Sequence, residues 1–300
     1  MAFCLRSEDI DLPRGASAAS TRMLVIRHGR PVFGLTQGAF RNYLFPVFSP
    51  AGFALTSESP ADHPHHHSIW VGADHVNLHV PAEHRTEVYS YNFYVNDVFQ
   101  GRAPGRIVQT HLQEKEDGDA MLLTQRLRWL GPREWGAPEG RHVLEEVRLT
   151  RVRHMADGRA YQLTIRSELS AVSHPISIGP TRHAWFNVRI GPGMAPLHGG
   201  QIRSAAASAA PAAPIWQACE GPVGGGQVAG VALSACSGAG SPDWYVSPWG
   251  VMTANPCLHQ ALYVEAGGPP LSLSCRMLVF DGPLDDAQIT LALTDSPSGA

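Results

Sequence analysis

The 300-residue chain carries a single lysine, Lys115, among its 23 basic residues. Lysine-based Schiff-base chemistry is thereby confined to one position, in the polar run from Glu114 to Asp119. The basic residues are scattered, and the formal net charge is -3, so there is no cationic stripe to follow a phosphate backbone and nucleic acid is not an expected partner. Cysteine is sparse. Cys4, Cys219, Cys236, Cys257 and Cys275 are odd in number, widely spaced and without a C-x-x-C pair, which excludes a disulfide framework and a cysteine zinc site as expectations. Long apolar runs are missing too. The longest charge-free stretch, Gly221 to Pro242, is too rich in glycine, serine and alanine to cross a membrane as a helix. The first ten residues contain charges and no continuous apolar segment, so a signal peptide is not expected and the chain is assigned to the cytoplasm.

What is abundant is turn chemistry, with 30 glycines and 24 prolines, and alternation. In Ala160 to Leu169, residues Tyr161, Leu163, Ile165 and Leu169 fall on one face, with Gln162, Thr164, Arg166 and Glu168 on the other. Leu271, Leu273, Cys275, Met277 and Val279 repeat the pattern, as do Leu123, Leu127 and Trp129. Met23 to Ile26, Tyr43 to Phe48 and Val88 to Val98 add further strands, Pro46 marking an edge or a bulge. Sustained helical periodicity is scarce. These patterns predict an all-β protein, a large antiparallel β-sandwich in one domain over residues 1–300, with 204–214 (SAAASAAPAAP) a surface loop rather than a linker.

Several segments carry chemistry. Asp62-His63-Pro64-His65-His66-His67 places four imidazoles within five positions. If the run is extended, His63, His65 and His67 share one side and His66 takes the other. Such a set is suited to a divalent metal ion, Zn, Mn or Fe, because neutral imidazoles are good ligands and adjacent charged ones repel. The alternative is a solvated polar loop. Glu145 falls on the apolar face of Val143 to Leu149, whereas Glu146 shares the other face with Arg148, and a charge on an apolar face is seldom without purpose. A bulge would undo that assignment. His183 follows Arg182 and precedes Trp185 and Phe186; it is suited to proton transfer, and the guanidinium beside it to holding a carboxylate or enolate. Trp244 and Trp249 have the character of ligand-stacking walls, although core packing is the commoner use of such rings.

Taken together, HPHHHSIWVG, the His183 segment, and the run from Gly230 through PDWYVSPWGVMTANP to LVFDG resemble the PmoA-like family, a bacterial family named after a methane oxygenase subunit. The likeness runs from about Arg30 to Gly282. His63, Pro64, His65, His66 and Trp70 match its histidine block, His67 and Ser68 stand where it has arginine and glycine, and Asn255-Pro256 matches its late asparagine-proline. The glycine-rich surroundings of its mid-chain histidine are replaced by Ala184, Trp185 and Phe186. The resemblance implies a sandwich similar to galactose mutarotase-type supersandwiches and points to sugar catabolism.

These readings lead to a metal-dependent lyase or hydrolase acting on a small polar molecule such as a sugar derivative or oxidised glycoside. In it His63, His65, His66 and His67 supply the metal ligands, His183 and Glu145 are catalytic, and Arg182, Trp185, Trp244, Trp249 and Asn255 contact substrate. One alternative is a metal-free epimerase or mutarotase-like enzyme using His183 and Glu145 as the acid and base pair. Another is a non-catalytic carbohydrate-binding sandwich. The expected partner is a small molecule, with no nucleic acid or membrane; a homo-oligomer is compatible.

Overall fold

Residues 3–8, 10, 20–205, 213–238 and 243–294 are described in the computed structural model. Within them the alternating segments pair into twenty strands and three antiparallel sheets, as an all-β sandwich requires. The first sheet runs, in spatial order, Phe3–Glu8, Thr21–Arg27, Arg30–Gln37, Asn42–Val47, Ile69–Val71, Phe186–Arg189, Val251–Asn255 and Asp243–Val246. The second runs Gln201–Ala205, Trp216–Gly224, Gln227–Ser234, Leu271–Asp281, Ala160–Ala171, His142–His154, Ala120–Leu130 and Arg106–Asp117. A smaller third sheet is built from Leu262–Val264, Ile176–Ile178, Val76–Pro81 and Thr86–Tyr91.

One principal apolar cluster draws on all three sheets, with Val25 and Phe33 from the first, Leu127 and Leu163 from the second, and Leu78 and Ile176 from the third. Across its centre Trp129 stacks on Trp185, ring centroids 5.4 Å apart and planes 7° from parallel. Burying a large apolar side chain contributes roughly 1.5–3 kcal/mol, so this pair alone matters on the scale of net stability. Part of the outer face of the second sheet is covered. The helix Asp286–Thr294 covers Trp216, Leu278 and Phe280 with Ile289, Ala292 and Leu293. Its start is fixed reciprocally, because Gln288 N–H donates to Asp285 Oδ1 at 2.7 Å and Asp285 N–H donates to Gln288 Oε1 at 3.0 Å. No helix among the described residues is long and apolar enough to cross a membrane.

Three local expectations have different outcomes. The strand expected over Val88 to Val98 stops at Tyr91, because Asn92 Oδ1 accepts the Tyr94 and Val95 N–H groups and turns the chain. Pro46 sits in Asn42–Val47, which has a neighbour on each side; the proline is accommodated by a register irregularity against Arg30–Gln37, so it marks a bulge and not an edge. Of the 204–214 segment, residues 206–212 lie outside the described residues, while Ser204 and Ala205 end an edge strand.

Candidate functional site

Ile69–Val71 and Phe186–Arg189 pair antiparallel, so the histidine block before Ile69 and the His183 loop before Phe186 leave these short strands at opposite ends, and both loops reach one cavity. Between Asp62 and Ser68 the chain is a turn and not an extended run, since His66 N–H donates to His63 O at 3.0 Å. The expected alternation is therefore lost. His63 and His66 stack face to face, centroids 4.6 Å apart and planes 3° from parallel, and His65 packs edge-on against His66 at 4.5 Å. His67 turns away from them, stacks on Tyr43 at 4.7 Å, and has its Nε2 3.3 Å from Asn96 Nδ2. Ser68 takes up a left-handed backbone, φ 59°, a conformation that glycine adopts most readily, and its buried hydroxyl donates to Thr56.

Beneath the turn lies Arg41, 1% exposed. It donates to the carbonyls of His65 and Tyr94 and, at 2.6 Å, to Asn96 Oδ1, tying the histidine turn to the Tyr94 turn. Burial pulls its own pKa down to about 10. Burial, with the Arg41 charge next, also lowers His65 to about 4 and His67 to about 3. Burial and the flanking imidazoles lower His66 to about 2. These three rings are neutral near pH 7, which removes the repulsion that four adjacent histidines would otherwise suffer.

His183 is held by a carboxylate that the sequence did not single out. Asp74, 1% exposed, accepts from His183 Nδ1 at 2.9 Å through Oδ2, and from His75 Nδ1 at 2.7 Å and the Thr181 hydroxyl through Oδ1. Arg102 approaches within 3.6 Å. Burial alone would raise the Asp74 pKa, but the hydrogen bonds from His183, Thr181 and His75 outweigh it and hold the group at about 2. The other imidazole nitrogen, Nε2, accepts Arg182 Nε–H at 3.2 Å. One tautomer satisfies both contacts: the proton is on Nδ1 and the lone pair on Nε2. The loop carrying this pair is anchored twice. Asn255 Nδ2 donates to Thr181 O at 2.7 Å, and Gly179, at φ 81°, approaches Cys257 too closely for a side chain.

His183 opens onto a cavity of about 570 Å³. Its walls include His63, His65, His66, Tyr94, Phe99, Arg182, Tyr245 and Trp249, with Trp249 packed edge-on against His63 and Tyr94 against His65 and His66. The volume and the mix of rings with a few polar groups suit a small organic ligand.

The chain belongs to the family of unknown function DUF6807. The DUF6807 match covers residues 24–293, and so every residue of the cavity. No curated protein matches the chain. The DUF6807 match does not bear on the PmoA-like resemblance, nor does it assign a reaction.

Of the site residues expected from sequence, His63, His65, His66, Arg182, His183 and Trp249 share the cavity. The others do not. Glu145 lies in the second sheet, 43% exposed, against Arg128 at 3.5 Å and His142 at 3.2 Å. Glu145 does share a face with Val147 and Leu149, but that face is the half-exposed one, and it is Glu146 that faces inward with Arg148 and Thr150, bonded to Arg148, Ser167 and Trp129. Asn255 is a buried anchor of the His183 loop, and Trp185 is core. Trp244 donates its indole N–H to Pro214 O and packs on the core, so it forms no platform with Trp249.

The expected metal has no ready ligand set. Among the described residues no three His, Cys, Asp or Glu side chains are grouped to hold an ion. Metal ligation uses lone pairs in the ring plane, and the parallel rings of His63 and His66 do not aim theirs at a common point, while His67 faces the other side of the turn. Sequence reasoning missed Asp74, Thr181, Tyr94 and Arg41. The available signal was the Gly72-Ala73-Asp74-His75 junction, where a carboxylate follows directly on a buried strand.

Proposed function

We propose that the cavity is an acid–base active site in which His183 takes and returns a proton at a carbon next to a carbonyl or carboxyl group of a small, carbohydrate-like molecule. The reaction class is that of a lyase or an epimerase. The observation supporting this reading is the hydrogen-bonded chain Asp74–His183–Arg182, which fixes one imidazole tautomer and turns its basic nitrogen toward a ligand-sized space. Asp74 does for His183 what an orienting carboxylate does in any such pair: it holds the ring and favours the imidazolium formed when Nε2 takes a proton. The rings of Tyr94, Phe99, Tyr245 and Trp249 exclude water and offer flat faces to a sugar ring.

The test is deuterium wash-in. Incubating the protein in D₂O with a panel of aldoses, ketoses, oxidised glycosides and sugar acids, and following the carbon-bound protons by NMR, should show accelerated exchange at one carbon of at least one compound. His183→Asn should lower that rate by roughly 10²- to 10⁴-fold while leaving the melting temperature close to wild type. No accelerated exchange with any of the panel, or unchanged exchange in His183→Asn, removes the proposal.

A further inference from the structure

The substrate class can be narrowed by the charges around the base, an inference that rests on the proton-transfer reading above. Arg182 contacts His183 Nε2 and lies 5.9 Å from the Tyr245 ring centre, with no carboxylate among the described residues in ion-pair contact with it. Arg41, buried behind the histidine turn, bonds only to neutral oxygens. The other charges nearby are largely satisfied. Asp74 is committed to His183, His75 and Thr181, and Asp62 to Arg189 and His63. Among the described residues that line the cavity, Arg182 and Asp97 are the charged ones, and no ion pair joins them. Arg182 is thus a lining cation without a carboxylate partner, set directly beside the base, which favours an anionic group at that point of the cavity.

We infer that the ligand is a carboxylated sugar of the uronate type, its carboxylate paired with Arg182 and the adjacent C–H directed at His183 Nε2. Position and chemistry support each other here. The same guanidinium that would hold the carboxylate also covers the lone pair of the base, so an anion that draws Arg182 onto itself exposes Nε2 at the moment substrate is in place. The step balances without any further reagent. The C–H electron pair moves into the carboxyl group to give an enediolate, the proton goes to Nε2, and Arg182 offsets the second negative charge. Return of a proton from Nε2 restores the acid, and in D₂O that proton is a deuteron.

The experiment compares sodium D-glucuronate and D-galacturonate with their methyl esters, which keep the ring and remove the charge. Binding is measured by calorimetry, and exchange at the carbon next to the carboxyl group by NMR in D₂O. At least one acid should bind at least about tenfold more tightly than its ester, the order expected of a charge-assisted pair. Arg182→Gln should erase that preference, and Arg182→Lys should restore part of it. Equal binding of acids and esters, a preference that survives Arg182→Gln, or no binding of either acid overturns the inference. Exchange that depends on His183 but occurs only in neutral carbonyl sugars sinks the carboxylate inference and spares the proton-transfer reading. Tight, Arg182-dependent binding of the acids without exchange does the reverse.

Discussion

Between pH 6.5 and pH 5 the histidine turn should govern the stability of the whole protein. His65, His66 and His67 are held at about 4, about 2 and about 3, below the ordinary histidine value of 6.5, by burial and the Arg41 and imidazole charges around them. In the unfolded chain each takes up a proton as the pH drops through 6.5, whereas in the folded protein each stays neutral until its lowered pKa is reached. The unfolded state therefore binds more protons, and stability falls as the pH falls. Three such groups give a limiting slope of about 4 kcal/mol per pH unit, half of it reached at pH 6.5, and so roughly 5 kcal/mol between pH 6.5 and pH 5, comparable with the whole stability of an ordinary domain. The carboxylates cannot mimic this. Asp74 and Asp62 are held at about 2, so their contribution to stability is complete above the ordinary value of 3.8 and is lost only at lower pH. Urea unfolding at intervals across pH 5 to 7 reads the slope directly. The variant His66→Phe keeps a flat ring against His63 and Trp70 but cannot titrate, and should reduce the slope by about a third. A wild-type stability flat across this range, or an identical slope in His66→Phe, refutes the reasoning.

Two further outcomes follow from buried charges. Asp74→Asn removes a carboxylate whose fall from 3.8 to about 2 corresponds to about 2 kcal/mol; the variant should melt roughly 4–8 °C lower at pH 7, lose the acid-dependent component between about pH 4 and pH 2, and lower any His183-dependent exchange roughly 10²-fold or more. Arg148→Met strands the fully buried Glu146 carboxylate with only Ser167 and Trp129 as partners and should cost about 3–5 kcal/mol in urea unfolding, whereas Glu146→Leu combined with Arg148→Met should recover most of that loss.

Strands were legible in the sequence because a sheet with one face on the core writes its period into the chain. Leu123, Leu127 and Trp129, or Leu273, Cys275 and Met277, are buried as the alternation requires. The same rule does not say which face is the buried one when both carry polar and apolar letters. In His142–His154 the alternation holds from Leu144 onward, yet Glu145, Val147 and Leu149 lie on the half-exposed face while Glu146, Arg148 and Thr150 are buried around an ion pair. The terminal helix escaped notice because nine residues hold too few turns to display a stripe, although the Asp285–Gln288 cap was written in the sequence.

The candidate site was legible in its residue types and not in its geometry. Imidazoles announce themselves by composition, so the block from His63 to His67 and the isolated His183 were both visible. What they do depends on partners distant in sequence. Asp74 and His183 are 109 positions apart, and nothing in the local pattern of either marks the other. Arg41 is also hidden, since a lone arginine beside a strand usually points to water, yet here it lies beneath the turn, where its charge adds to burial in keeping His65 and His67 neutral. A neutral wall of rings is a different device from a set of metal ligands, although both are written with the same letters. The difference lies in the turn at His63–His66: a hydrogen bond between backbone groups brings the rings face to face, so that His66 is sandwiched between His63 and Trp70 where an extended strand would have aligned nitrogens.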